Sequence, residues 1–122
     1  MRYSYGCELK FIIPHFKEVD GVMSAYDYQN FKKDLFYNFE GIGLNYYLVL
    51  PIKEVVDGIE YDSEQVVVYC DEVMEQVIIR EFQENCCRQH KQLGINNFFY
   101  IQNGVLINLI IGDELGMKEG DC

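Results

Sequence analysis

The stretch QVVVYCDE, residues 65–72, contains the passage from a buried strand to a helix around which the rest of the chain can be ordered. Its first six residues form a near-continuous apolar run, which is typical of an inner strand of a sheet. Asp71 and Glu72 follow at once, and acidic side chains in a first helical turn are favoured by the helix dipole. The stretch therefore predicts an inner strand that leads directly into a helix.

The helix predicted after this strand has one apolar face and a clear end. Apolar residues recur at helical spacing, and Gly94 is a good terminator because glycine adopts the left-handed conformation at little cost. The residues expected on the core face are Met74, Val77, Ile78, Phe82, Cys86 and Leu93.

An earlier strand and helix are predicted in the first third of the chain. Residues 7–13 (CELKFII) are rich in strand formers, and a loop containing Asp20 and Gly21 follows them. Ser24 with Asp27 three residues later is a variant of the capping box, which predicts that a helix begins at Ser24. Its apolar stripe is expected to consist of Tyr28, Phe31, Leu35 and Phe39.

The remaining strands are marked by two hairpin turns. Residues 44–52 (LNYYLVLPI) have strand composition, and the hairpin dipeptide Asp57-Gly58 comes after them. Asn103-Gly104 separates two further apolar runs, residues 98–102 and 105–111, and is the strongest hairpin signal in the chain.

The predicted elements follow one another in the order β-α-β-β-α-β, with one further strand from the terminal hairpin. This order predicts an α+β fold of the ferredoxin-like sandwich type, with an antiparallel sheet and both helices on one face. Residues 1–112 are expected to form a single domain, and residues 113–122 an acidic, flexible tail. If aromatic side chains such as Tyr46 or Phe99 lie on the other face of the sheet, that face is expected to pair with another protomer.

The charge of the chain restricts its partners. Of its 122 residues, 20 are acidic and 10 are basic, which gives a formal net charge of -10. Such a surface repels nucleic acid and anionic membranes, so neither is a predicted partner. It is compatible with a basic protein or a cation, and solubility alone is the simpler explanation.

The cysteines indicate a cytoplasmic protein. There are five of them, an odd number, and the first residues lack the apolar core of a signal peptide. Reduced thiols are therefore expected.

The acidic segment around residue 60 is the main candidate for a binding surface. If residues 59–65 are extended, Glu60, Asp62 and Glu64 project from the same side of a strand, which we expect at an edge of the sheet. Such a row repels itself unless a cation or a basic partner neutralises it. The alternative is a solvated edge strand that charge protects from aggregation. The predicted docking surface for a basic protein consists of Glu54, Asp57, Glu60, Asp62 and Glu64.

No metal or cofactor is predicted. The acidic segment lacks the D-x-D-x-D-G spacing of a calcium loop. Cys86 and His90 share a side of a helix, but a structural zinc site needs four ligands and the other cysteines are scattered.

An alternative site is predicted on the second helix. Arg80, Arg88 and His90 would suit an anionic small molecule, bound by a protein that assembles as a homo-oligomer. A further alternative is a small enzyme that uses His15, His90 or Cys87.

The sequence contains no Walker loop, no dinucleotide-binding glycine motif and no G-x-S-x-G motif. We therefore predict a non-enzymatic acidic binding or inhibitor protein of the immunity or phage anti-defence type, which docks on a positively charged protein surface. In such a protein, carboxylates would take the place of phosphates, and complementary charge would speed association.

Overall fold

The computed structural model describes residues 6–25 and 27–111, and within them the chain has an α+β fold. A five-stranded sheet, a separate two-stranded hairpin and two helices make up the described part. The elements are β1 (Cys7–Pro14), β2 (Phe16–Val19), β3 (Val22–Ala25), α1 (Gln29–Gly41), β4 (Leu48–Val56), β5 (Ile59–Cys70), α2 (Glu72–Leu93), β6 (Asn97–Gln102) and β7 (Val105–Ile110).

The strands of the main sheet are antiparallel and follow the order β4-β5-β1-β6-β7. β5 therefore lies between β4 and β1, which confirms the inner strand predicted for residues 65–70. The expectation of an edge strand at residues 59–65 is wrong for residues 63–65, which lie between β4 and β1, whereas residues 59–62 pair within the main sheet with β4 alone. The ferredoxin-like assignment stays a prediction, as do the domain boundaries; residues 113–122 lie outside the described part.

Three tight turns of the same chemistry join neighbouring strands. Asp20-Gly21, Asp57-Gly58 and Asn103-Gly104 all have positive φ at both residues, as a type I′ hairpin turn requires. The sequence prediction assigned a hairpin to the second and third of these pairs and only a loop to the first. The structure places a hairpin there too, in which β2 pairs with β3.

That first hairpin also moves the start of the first helix. Ser24 pairs with Lys17 in the hairpin, so it cannot cap a helix, and α1 begins at Gln29 instead. Tyr28 is the N-cap residue and gives no side-chain cap, whereas Asp27 accepts a hydrogen bond from the Gln29 amide at 3.1 Å. The predicted capping box at Ser24 is therefore wrong.

The core lies between one face of the sheet and both helices. Alternate residues of β1 (Leu9, Phe11 and Ile13) are fully buried against side chains of α1 and α2. The Phe11 ring lies 4.6 Å from that of Phe82 on α2 and 5.8 Å from that of Phe39 on α1. Burial of such a side chain stabilises the fold by about 1.5–3 kcal/mol, so this layer fixes both helices on the same side.

The core face of α2 is rotated from the predicted one. Ile78, Phe82, Cys86 and Leu93 are buried as expected, but Val77 is 40% exposed and Met74 lies at the margin. Ile79, Asn85 and Gln89 are buried as well. The polar pair bonds to α1, since Asn85 donates to the Phe31 carbonyl at 3.1 Å and Gln89 donates to Asp34.

Candidate functional site

A half-buried ionic cluster joins three elements at one end of the sheet. Glu64 on β5 accepts two hydrogen bonds from the Lys32 ammonium group, at 3.0 and 2.9 Å. His15 Nε2 lies 2.9 Å from Oε1 of the same carboxylate. The ring of Tyr28 stacks on the imidazole of His15, with centroids 3.7 Å apart and planes inclined by 7°. We call these four residues the Glu64 cluster.

The fold brings the cluster together from distant parts of the chain. Glu64 pairs with Ile13 of β1, and His15 comes two residues after that partner, where β1 ends. Tyr28, the N-cap residue of α1, and Lys32 lie four residues apart, so they face the same side of the helix. The packing of α1 on the sheet therefore sets the cluster's geometry.

Because the cluster is partly buried, its ionic interactions are screened less by water and salt than those of a surface ion pair. The side chains of His15 and Glu64 are each 15% exposed and that of Lys32 is 21% exposed. Ion pairs are screened less when water is largely excluded. The cluster offers a carboxylate, an ammonium group, an imidazole and an aromatic face within a few ångströms, which suits a ligand that carries both signs of charge.

The five carboxylates of the predicted acidic docking surface do not form one surface in the structure. Glu60, Asp62 and Glu64 alternate along β5 and share one side, as expected. Asp62, however, is bonded to Lys53 on β4, and this bond is the main reason that the pKa of Asp62 lies below its usual value. Glu64 belongs to the ionic cluster.

The two other carboxylates of that surface lie elsewhere. Glu54 pairs with Tyr61 rather than with a member of the row, so it projects from the opposite face of the sheet, where it accepts a hydrogen bond from Ser63 at 2.8 Å. Asp57 is a turn residue with φ of 52°. The chain itself thus neutralises part of the row, and docking on a basic protein stays a prediction.

The alternative site on α2 is spread around the helix. Arg88 lies 4.0 Å from Glu84 one turn earlier, and His90 Nδ1 lies 3.2 Å from the side chain of Asn96. Because successive residues turn by about 100°, Arg88 and His90 point to opposite sides, and Arg80 lies two turns from Arg88. A role for these residues in binding an anion stays a prediction.

The buried thiols are poor nucleophiles. A hydrogen bond to Glu75, followed by burial, raises the pKa of Cys7 to about 11. Burial also raises the pKa values of Cys70 and Cys86. Cys7, Cys70 and Cys86 are free thiols, as the prediction of reduced cysteines expects for these three.

Within residues 6–25 and 27–111, no group of three or more His, Cys, Asp or Glu side chains is placed to hold a metal ion. The helices of the same residues include none long and apolar enough to cross a membrane.

A concave region lies at the β4 edge of the sheet. It has a volume of about 470 Å³ and is lined by Tyr46, Tyr47 and Tyr69 together with Leu44, Leu48 and Val67. Val67 and Tyr69 alternate with the core residues Val66 and Val68, so the pocket opens on the face of the sheet opposite the helices. It is therefore separate from the Glu64 cluster.

Comparison with known proteins gives a structural likeness without a sequence match. No known protein family and no curated protein matches this sequence. A solved structure with the same fold is that of a phage SAM lyase in its apo state. The likeness has a TM-score of 0.59 at 9% sequence identity and covers 91% of this chain and 94% of the other.

This likeness contradicts the prediction that the chain is not an enzyme. The fold is shared over nearly its whole length with a lyase, although the sequence carries none of the common catalytic motifs. A missing motif was weak ground for that prediction, because a site assembled from distant single residues leaves no local signature.

The Glu64 cluster was only partly visible in the sequence. The sequence marks His15 as a candidate for acid-base chemistry and Glu64 as part of the acidic row. It predicts Tyr28 on the core stripe of the first helix and gives no signal for Lys32. The Lys32–Glu64 bond spans 32 residues and the His15–Glu64 contact spans 49, so no spacing along the chain indicates them.

Proposed function

We propose that this protein is an enzyme that cleaves S-adenosylmethionine. We read SAM in the description of the structural neighbour as this compound. The proposal is supported by the fold shared with the SAM lyase over 91% of the chain. It is also supported by the Glu64 cluster, in which ionisable groups of both signs are held half-buried beside an aromatic face.

The chemistry of the substrate makes few demands on an enzyme. Its sulfonium sulfur is a good leaving group, and its own carboxylate can attack the γ-carbon of the methionyl part. The new C–O bond forms as the C–S bond breaks, the electron pair goes to sulfur, and the products are a neutral thioether and a lactone. No oxidant, water or metal enters this balance. The protein has to hold the chain folded for attack and exclude water, and both are recognised sources of rate.

The Glu64 cluster offers complementary groups for the charged end of this substrate. Glu64 would accept hydrogen bonds from the α-ammonium group, and Lys32 would position the α-carboxylate. The stacked, nearly parallel rings of His15 and Tyr28 would supply an aromatic face on which the adenine can stack. The substrate's ionic groups would then replace the existing Lys32–Glu64 contact rather than bury charge without a partner.

The role of Glu64 is tested by a pair of matched substitutions. Glu64→Gln keeps the shape of the side chain but removes its charge, so we expect substrate turnover per mole of protein to fall about 100-fold. Glu84→Gln removes a carboxylate that lies beside Arg88 on the surface of α2 and should leave turnover unchanged. The measurement is the chromatographic yield of methylthioadenosine, the neutral thioether product of the cleavage. Full activity of folded Glu64→Gln protein would exclude the cluster as the site.

We propose in addition that the exposed end of the β4–β5 hairpin contacts a basic protein. Asp57 and Glu60 are exposed there beside the exposed apolar side chains Val55 and Ile59, a mixture that suits a protein contact. A phage anti-defence setting is compatible with this second role, and the phage source of the structural neighbour supports it. Asp57→Lys with Glu60→Lys should abolish salt-sensitive recovery of a basic protein from lysate and leave S-adenosylmethionine cleavage intact. Unchanged recovery would exclude this surface.

The finer fold assignment is also a proposal. The antiparallel strand order β4-β5-β1-β6, with both helices against one face, supports the ferredoxin-like arrangement, to which β7 adds a strand at one edge.

A further inference from the structure

The face of the main sheet that points away from the helices is unusually apolar for a solvent-facing surface. Leu50 is 43% exposed, Leu106 is 61% exposed and Ile110 is 41% exposed. The pairing register places them on this face together with further apolar residues, of which Leu48 and Tyr69 are exposed and Ile12, Ile52, Phe99 and Ile101 are half-buried. Phe99 is thus located where the sequence predicted an aromatic, whereas Tyr46 precedes β4 in a loop. We call this surface the open face.

The open face carries little charge. Among the described strand residues that point to it, the ionisable acids and bases are Glu8, Lys10 and Glu54, which sum to a charge of -1. The whole chain carries -10. Charge is therefore concentrated elsewhere, and two copies of this chain can approach through the open face with little of the repulsion that their net charge otherwise causes.

The open face is close to the size that a stable interface needs. Five strands spaced about 4.8 Å apart and about eight residues long, at roughly 3.4 Å per residue, cover about 650 Å² before the relief of the side chains is counted. A stable protein interface buries about 800 Å² per partner. The β2–β3 hairpin borders one end of the face, where the Phe16 ring lies 5.2 Å from that of Tyr61 and Phe16 lines a recess with Ile12 and Phe99. The exposed residues Leu50 and Leu106 do not line that recess.

The charges at the centre of the face indicate what covers it. β1 is the middle strand of the sheet, and Glu8 and Lys10 lie two residues apart on it, with their ionic groups 3.6 Å apart. A positive and a negative group placed side by side are self-complementary, because Lys10 of one copy can meet Glu8 of another when the two faces oppose each other. We propose that the open face packs against the open face of a second copy of this chain.

The proposal is tested by the oligomeric state of charge-exchange variants in solution. Size-exclusion chromatography with light scattering at tens of micromolar protein should give the mass of two or more chains for the unmodified protein. Lys10→Glu and Glu8→Lys should each raise the dissociation constant at least about tenfold, since like charges then oppose each other. The double variant Glu8→Lys with Lys10→Glu should restore assembly, because it exchanges the charges and keeps them complementary.

Two further variants make the outcome decisive. Lys33→Glu changes the net charge equally on an exposed position of α1 and should leave the mass unchanged. Leu50→Lys places a charge within the apolar face and should give a monomer. Circular dichroism establishes that each variant is folded. A monomeric unmodified protein, assembly that survives Leu50→Lys, or a folded double variant that stays monomeric would each overturn the proposal. None of these results depends on cleavage of S-adenosylmethionine.

Discussion

Glu64 shows how tertiary structure changes the meaning of a residue that the sequence marks only as acidic. Its neighbours in the alternating row suggested repulsion, but the folded chain brings Lys32 and His15 to it from α1 and the end of β1. The row as such could be predicted from alternation. Its neutralisation could not, because every partner is supplied by another element of the fold.

The buried thiols allow a prediction at single residues. At pH 8, a thiol whose pKa is about 11, as that of Cys7 is, exists as thiolate to only about one part in a thousand. Cys7, Cys70 and Cys86 should therefore react very slowly with a disulfide reagent in the native protein and rapidly in denaturant, with the labelled positions located by mass spectrometry. Rapid native labelling of any of the three would contradict the burial described for it.

Glu75 allows a prediction of pH dependence. Hydrogen bonds from Cys7, Gln102 and Asn103 lower its pKa below the ordinary value of 4.5, so the folded state favours the charged form. The stabilisation that this provides is complete above the ordinary pKa and is lost as the pH falls through the lowered one. The difference in urea midpoint between the unmodified protein and Glu75→Gln should therefore shrink between pH 7 and pH 3. A difference that is constant over this range would contradict the prediction.

At the scale of elements, the sequence predicts best where the structure of a segment depends on its own residues. QVVVYC is an inner strand because both of its neighbours in the sheet are present, and Gly94 ends α2 with φ of 70° as expected. Asp20-Gly21 had the same turn chemistry as Asp57-Gly58, but the strands that it joins have only four residues each and little alternation to reveal them. The capping signal at Ser24 was misleading for the same reason. Ser24 pairs with Lys17 in that hairpin and so cannot cap a helix.

The β6–β7 hairpin depends on Asn103 more than its exposure suggests. Asn103 has φ of 51°, its side chain accepts from the Glu8 amide at 2.8 Å and it donates to Glu75 at 3.0 Å. Asn103→Ala should lower the free energy of unfolding by about 2 kcal/mol, because it removes both bonds and a side chain that tolerates the left-handed conformation. Urea titration measures this change, with Asn108→Ala on β7 as a control. Equal effects of the two substitutions would show that Asn103 does not anchor the turn.

At the scale of the whole molecule, the order of helices and strands predicts the α+β class, whereas the proposed enzymatic function could not be inferred from that order. The positions of most strands and helices follow from local periodicity and turn residues, but the ionic cluster arises from three segments that meet only in the folded chain. Net charge also gave an incomplete account, because it does not show that the open face of the sheet is nearly free of charge.

The central claim is that the protein cleaves S-adenosylmethionine, and the most direct measurement is the product balance of the unmodified purified protein. We expect methylthioadenosine to appear in an amount equal to the S-adenosylmethionine consumed, at a rate proportional to protein concentration and well above the spontaneous rate. S-adenosylmethionine that decays no faster with the protein than without it would contradict the account.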